Sequence, residues 1–292
     1  MDKFAIANLV RNIILNIPKL DRIYLKLEGF LFNIEKSKRF KANAKAIIKR
    51  NLSIFNKLQE RILGHIPDFT SQNKIILEIG PGSSLILAIL FILKGAKQVI
   101  LVDRYKQIYN NRFNQLLNQY FIKIYKHTTP NVSLSYDEVM NKITYYGYSG
   151  IENLYSIKKN QVDLIFSLSV LEHVQVLEKT IAMISYLLKP KGIFYSSVDL
   201  RDHFHIRDKC FLDFLKYPHN FWNLIGHTNR ERFNTFNLLF KKYKFNIIEL
   251  IRLKMGPIDK IDKIKDKFNS KFKNLSKEEL SIRGFKILAQ KF

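Results

Sequence analysis

Cysteine is the scarcest chemistry in this chain: one residue, Cys210, in 292. That excludes an internal disulfide framework and a zinc site built from several thiolates, and it leaves an isolated thiol whose default is inertness. Long apolar runs are also missing. The longest, Leu85–Leu93, falls well short of the ~18 residues that a membrane span needs, and it follows directly on a glycine turn. Asn8, Arg11 and Asn12 interrupt the apolar N-terminal segment and no small-residue cleavage site follows, so a signal peptide is not expected and the cytoplasm is. Acidic residues are few, 25 against 49 Lys and Arg, for a net charge of +24. The excess sits in residues 1–74 and 241–292 rather than between them. Such a field attracts nucleic acid, anionic lipid or phosphorylated substrates. The preference for Lys, Ile, Asn, Phe and Tyr is also what A/T-rich codons produce, so charge alone names no partner.

Apolar spacing then organises the chain. Ile6, Leu9, Val10, Ile13 and Ile17 predict a helix over 4–17 that Pro18 stops, and Leu20, Ile23, Leu27, Leu31 and Ile34 predict a second despite Gly29. A basic stretch, Lys36–Arg50, leads into a third that ends near Gly64. Residues 1–74 thus read as a helical cap, packed on the remainder or on a partner subunit, or lying on a membrane surface as basic amphipathic helices do. From Ile75 strands and helices alternate. Strands are expected at Ile75–Ile79, Val99–Val102, Ile143–Tyr146, Val162–Ser167 and Gly192–Val198, with helices at Ser83–Lys94, Gln107–Lys126 and Val176–Leu188. Phe245–Leu253 and Gly284–Lys291 add two strands, with a Lys-rich helical stretch, Asp259–Lys277, between them. The alternation implies an α/β fold around a largely parallel sheet. Residues 200–240 lack clean periodicity.

The first strand carries Glu78 one residue before its end, Gly80-Pro81-Gly82 follows it, and the second apolar stretch ends in Asp103. In parallel sheets ligands sit beyond the carboxyl ends of the strands, where an acid at the second tip can take both hydroxyls of a ribose. The third glycine of a dinucleotide fingerprint is replaced by Ser84, and no Gly-Lys-Ser/Thr follows as in a P-loop. A carboxylate just before the turn suits a ligand with a cationic amino end, and S-adenosylmethionine offers one together with a ribose.

At this point "ILEIGPGSS", Asp103, "DLIFSLSVLEHV" (Asp163–Val174) and "LLKPKGIFYSSVD" (Leu187–Asp199) resemble, in order and separation, the motifs of class I S-adenosylmethionine-dependent methyltransferases. The likeness covers residues 75–200 and, more loosely, the last two strands, and "SVLEHV" and "LLKPKG" look like the small-molecule and lipid-quinone branch. It implies a Rossmann-like mixed sheet of seven strands, mostly parallel with the last antiparallel, forming a methyltransferase domain over 75–292. By the same resemblance Glu78, Gly80, Pro81 and Gly82 line the methionine side, Asp103 holds the ribose with Arg104 beside it, Ile151 or Glu152 meets the adenine, and Ser167 closes the pocket. The product would be S-adenosylhomocysteine.

Methyl transfer to a hydroxyl needs a proton acceptor close to the acceptor atom, and histidine is the commonest. "VDLRDHFH" (Val198–His205) puts Asp199, Asp202, His203 and His205 at the fifth strand tip, with Asp199 able to orient His203. The same set raises a metal site for which further ligands are missing, so none is expected. His173 either lines the acceptor pocket or makes a structural bond at a helix start. The aromatic stretch 206–240, with Trp222, is read as an acceptor-side insertion or as a plain helical core. Its "DLRDHF … FL.Y … W … NR.R" pattern loosely resembles methyltransferases encoded among surface-polysaccharide genes. A small-molecule or glycan acceptor is therefore expected. The basic flanks keep a nucleic-acid methyltransferase as the alternative, although "SLSV" stands where an Asn-Pro-Pro-Tyr-type tetrad would serve exocyclic amines and no nucleic-acid module precedes the sheet. A catalytically silent binding subunit is the third reading. The sequence fixes no oligomeric state.

Overall fold

The computed structural model describes residue 10 and residues 40–104, 112–129, 131–203, 211–226, 228–253 and 258–292. The helices expected over 4–17 and 20–34 lie outside these residues, as do His205, Cys210 and the start of the helix expected from Gln107.

Seven strands form one sheet in the order β3-β2-β1-β4-β5-β7-β6. They are β1 (Ile75–Ile79), β2 (Gln98–Asp103), β3 (Ile143–Gly147), β4 (Val162–Leu168), β5 (Leu188–Asp199), β6 (Phe245–Leu253) and β7 (Gly284–Lys291). β1 pairs in parallel with both β2 and β4, while β7 runs antiparallel between β5 and β6. The chain goes from β1 outward to β2 and β3, then returns to the other side of β1 with β4. That reversal opens a crevice at the β1 and β4 tips, the place where open α/β sheets take ligands.

Helix α1 (Phe40–His65) turns Ala44, Ile48, Phe55, Leu58 and Ile62 onto one face, three, four or seven residues apart, and all five are buried. They cover α2 (Ile86–Leu93), whose eight residues are all buried; a helix apolar on every side belongs inside a core. Phe55 meets Phe91 edge-on at 4.9 Å, and Phe91 meets Phe166 of β4 at 5.5 Å. α3 (Arg112–Thr128) and the short α4 (Tyr136–Asn141) complete this layer. The opposite layer packs α5 (Leu177–Leu187) and α7 (Phe233–Lys242) on the sheet through Ile181, Ile184, Phe236 and Phe240. A third core gathers Leu212, Phe214, Leu215 and Trp222 of the insertion with Ile261, Phe268 and Phe272 of the C-terminal stretch. Trp222 lies on α6 (His219–Ile225), Ile261 on α8 (Ile258–Lys265) and Phe272 on α9 (Ser270–Lys273), and α10 (Lys277–Ser281) precedes β7.

Two expectations are corrected. The helix expected from Ser83 begins at Ile86, because the glycine turn extends through Ser84. β5 begins at Leu188 rather than Gly192, with a register shift opposite Val162–Leu164 that accommodates Lys189–Lys191. The cause is Asp163, whose carboxylate accepts bonds from Lys189 Nζ at 2.8 and 2.9 Å and from the Ile75 amide at 2.9 Å. The described part of 200–240 is partly helical, as expected for an inserted helical segment.

Burial pushes the Asp163 carboxyl up, but the Lys189 and Ile75 bonds and the nearby Lys74 outweigh it and hold it below its ordinary value. Its stabilisation is therefore present at neutral pH and lost as pH falls through the lowered value. Asp163→Asn is expected to destabilise the chain by roughly 1–3 kcal/mol at pH 7, read from urea unfolding. The wild-type advantage should vanish in acid, and equal unfolding midpoints at pH 7 would contradict this role.

Candidate functional site

The crevice is built from turns that only particular residues can make. After β1 the Gly80 amide donates to the Val102 carbonyl at 2.8 Å, and the chain then passes through Gly80 and Gly82 at φ +70° and +66°. Only glycine adopts that region freely. A Cβ on Gly80 would meet Val170 Cγ2 at 2.5 Å, whereas one on Gly82 would meet nothing within 4 Å. The turn is thus tight underneath and open above, with Pro81 half-buried between.

Glu78 lies beneath it, 4% exposed, and its Oε2 has no hydrogen-bond partner among the described residues. Burial, and secondarily the charge of Asp103, pushes its carboxyl up to about 8. Asp103 ends β2, half-exposed, opposite Gly147 of β3, and its carbonyl accepts the Ser149 amide at 3.2 Å. That bond ties the second strand tip to the segment leading into a 3₁₀ turn at Ile151–Asn153. There Ile151 is 1% exposed in the core, so its side chain is structural and only its backbone could serve a ligand. Glu152 folds back so that its carboxylate occupies the space over Gly150. Arg104 is exposed. Ser167, fully buried on β4 beside Ile79, has an Oγ without a partner among the described residues.

These features fit S-adenosylmethionine. Glu78 has an oxygen without a partner among the described residues that a cationic amino group would satisfy, a Cβ on Gly82 would meet nothing within 4 Å, and Asp103 ends the neighbouring strand.

The acceptor side follows β4 and β5. Ser169 at φ +55° donates its amide to Ser197 at 2.8 Å and turns the chain into a 3₁₀ segment, Leu171–His173. Glu172 is 2% exposed; its Oε1 accepts the Asp199 amide at 3.1 Å, and Oε2 has no partner among the described residues. Burial pushes its carboxyl up to about 8. The rings of His173 and His203 lie 5.0 Å apart. Asp199, His203 and His173 are thus brought together, but not as the expected acid–imidazole pair. Arg201 takes the Asp199 carboxylate with Nε at 2.9 Å and Nη2 at 2.6 Å, leaving His203 Nε2 at 3.8 Å, without a hydrogen bond among the described residues. Burial raises the Asp199 carboxyl, yet the Arg201 bonds hold it below its ordinary value. Burial, with His173 beside it, lowers His203. Asp202 is 1% exposed, its amide bonded to the Phe211 carbonyl.

Residues that spacing could not single out hold this side in place. Asn229 donates Nδ2 to the carbonyls of Leu171 (2.8 Å) and Val174 (3.2 Å), and its amide donates to Glu172 at 2.7 Å. Arg230 donates to Phe214 and Tyr217 carbonyls and lies over Trp222 and Phe272. Arg232, 3% exposed, donates to the Leu200, Leu280 and Ile282 carbonyls. The "NR.R" run thus pins backbone carbonyls, and the buried Nε of Arg232 lacks a partner among the described residues.

A family model described as a methyltransferase domain matches residues 49–250, more than half of the chain. No curated protein matches it in sequence. Among solved structures, a candidate sarcosine dimethylglycine methyltransferase from Galdieria sulphuraria is 13% identical with a TM-score of 0.50, covering 82% of this chain and 86% of its own. The geranyl diphosphate C-methyltransferase of Streptomyces coelicolor A3(2), solved with Mg2+, geranyl diphosphate and S-adenosyl-L-homocysteine, is 9% identical with a TM-score of 0.50, covering 81% and 79%. At such identities these two share the fold. Domain match, strand order and crevice agree, and the chain belongs to the class I S-adenosylmethionine-dependent methyltransferases.

Proposed function

We propose that the chain methylates a hydroxyl of a small-molecule or glycan acceptor, with His203 as the group that takes the hydroxyl proton. The observation that carries this reading is the His173–His203 pair beyond the β4 and β5 tips, with His203 Nε2 unpartnered among the described residues and its imidazole held neutral by burial. S-adenosylmethionine supplies an electrophilic methyl on a sulfonium. Glu78 and the Gly80–Gly82 turn would hold its amino acid end, Asp103 the ribose hydroxyls, Ser167 the inner wall, and Glu152 or the Ile151 backbone the adenine. Residues 200–240 would enclose the acceptor, with Asn229 fixing the turn that carries His173. Asp199 enters through its clamp on Arg201, which anchors the backbone leading to His203. Incubation with hydroxylated metabolites and surface glycans, followed by mass spectrometry, tests the reading. It is supported by a gain of one methylene on a hydroxyl and contradicted by methylation confined to RNA with steeply salt-dependent binding, the outcome that a net charge of +24 would favour.

Glu78 gives the cofactor assignment a proton signature. Its raised pKa, about 8 against an ordinary 4.5, means that the folded chain holds a proton that the unfolded chain releases. The ligand-free protein should therefore lose stability from this group as pH rises from about 4.5 to about 8. A cationic amino group beside Glu78 favours the carboxylate, so binding at pH 7 should release up to one proton. Calorimetric heats of S-adenosylmethionine binding should then differ between buffers of different ionisation enthalpy; identical heats would contradict the placement.

A further inference from the structure

The Leu171–His173 turn and the residues after β5 build a cluster that the methyl-donor crevice does not use. One carboxylate oxygen of Glu172 and one ring nitrogen each of His173 and His203 all lie within 4.8 Å of one another. Glu172 is 2% exposed, and its Oε2 has no donor among the described residues. His203 Nε2 is likewise unpartnered. Buried polar atoms are nearly always satisfied, and exceptions clustered in one place point to a missing occupant. A species satisfying Glu172 Oε2 and the His203 Nε2 lone pair at once accepts lone pairs, as a cation does. The Asp199 charge next to them is already taken by Arg201, so Glu172 is the carboxyl left to ligate an ion.

We propose that Glu172, His173 and His203 bind one divalent transition-metal ion of the zinc class on the acceptor side of the crevice. Two imidazoles and one carboxylate are the ligand types of catalytic zinc sites, which leave a position open for substrate. Tetrahedral ligands at 2.0–2.2 Å stand about 3.5 Å apart, so these side chains must draw together by at most ~1.5 Å. The open position would take the acceptor oxygen, and the ion would lower the pKa of that hydroxyl. The site's purpose rests on the methyl-transfer reading, and it changes one part of it. In the loaded protein the His203 lone pair holds the ion, and the proton leaves the acidified hydroxyl for solvent; without the ion, the imidazole takes that proton itself.

The test is calorimetric titration of Zn2+ into the chelator-stripped full chain saturated with S-adenosylhomocysteine. One equivalent should bind, with affinity reduced at least about tenfold in Glu172→Gln and in His203→Ala, while both variants keep S-adenosylhomocysteine affinity within about twofold of wild type. Zinc taken up equally by wild type and by the double variant marks surface histidines and overturns the site. So does a wild-type chain that binds S-adenosylhomocysteine and no zinc, an outcome that leaves the methyl-transfer reading standing. A chain that binds zinc through these residues but not S-adenosylhomocysteine supports the site and removes that reading instead.

Discussion

His203→Ala is expected to lower kcat by about 10²- to 10⁴-fold, the usual contribution of a positioned proton-handling group, while leaving the dissociation constant of S-adenosylmethionine unchanged. The split follows from the architecture. His203 lies beyond the β5 tip beside His173, whereas the proposed methyl-donor residues lie at the adjacent tips of β1, β2 and β4. Removing the imidazole leaves Glu78, Gly80, Gly82 and Asp103 as they are. Steady-state rates at saturating cofactor, with affinity measured separately, give both numbers. A variant with full turnover removes His203 from the chemistry, and a variant that loses cofactor affinity assigns it to the other side of the crevice.

Asp103→Ala should raise the S-adenosylmethionine dissociation constant at least about tenfold, and by about 10²-fold or more if both ribose hydroxyls are held, because each bond to a carboxylate is worth roughly 1.5–3 kcal/mol. The substitution leaves the β2–β3 pairing in place, since the Ser149 amide bonds to the Asp103 carbonyl rather than to its side chain. It also removes the charge that helps keep Glu78 protonated, so proton release on binding should diminish in the same titration. Unchanged affinity would show that Asp103 does not touch the ribose.

The glycine turn and the strand tips beside it were legible because their parts are local. An apolar run with Glu78 next to its end, two glycines after it and an acid ending the next run are each visible within a few residues. The seven strands were legible for the same reason, being apolar runs of ordinary length. The pairing of Asp199 was not. Arg201 and His203 stand two and four residues beyond it, and spacing does not say which of them the carboxylate takes. Glu172 was missed as a site residue because its significance comes from burial against the Asp199 amide, 27 residues away. Helix α4 had a readable signal: Ser135 and Glu138 form a reciprocal capping box, the Ser-x-x-Glu signature, but too few apolar residues follow to show a period. In 200–240 the ordering force is Arg230, Arg232 and Asn229 donating to distant carbonyls, a pattern without periodicity.

A crystal structure with S-adenosylhomocysteine would show whether the β1, β2 and β4 tips hold the methyl donor. The amino acid end of the ligand is expected over Gly80–Gly82 with its ammonium toward Glu78, and both ribose hydroxyls on Asp103. Ligand density elsewhere, or a crevice closed by the chain's own side chains, would contradict it.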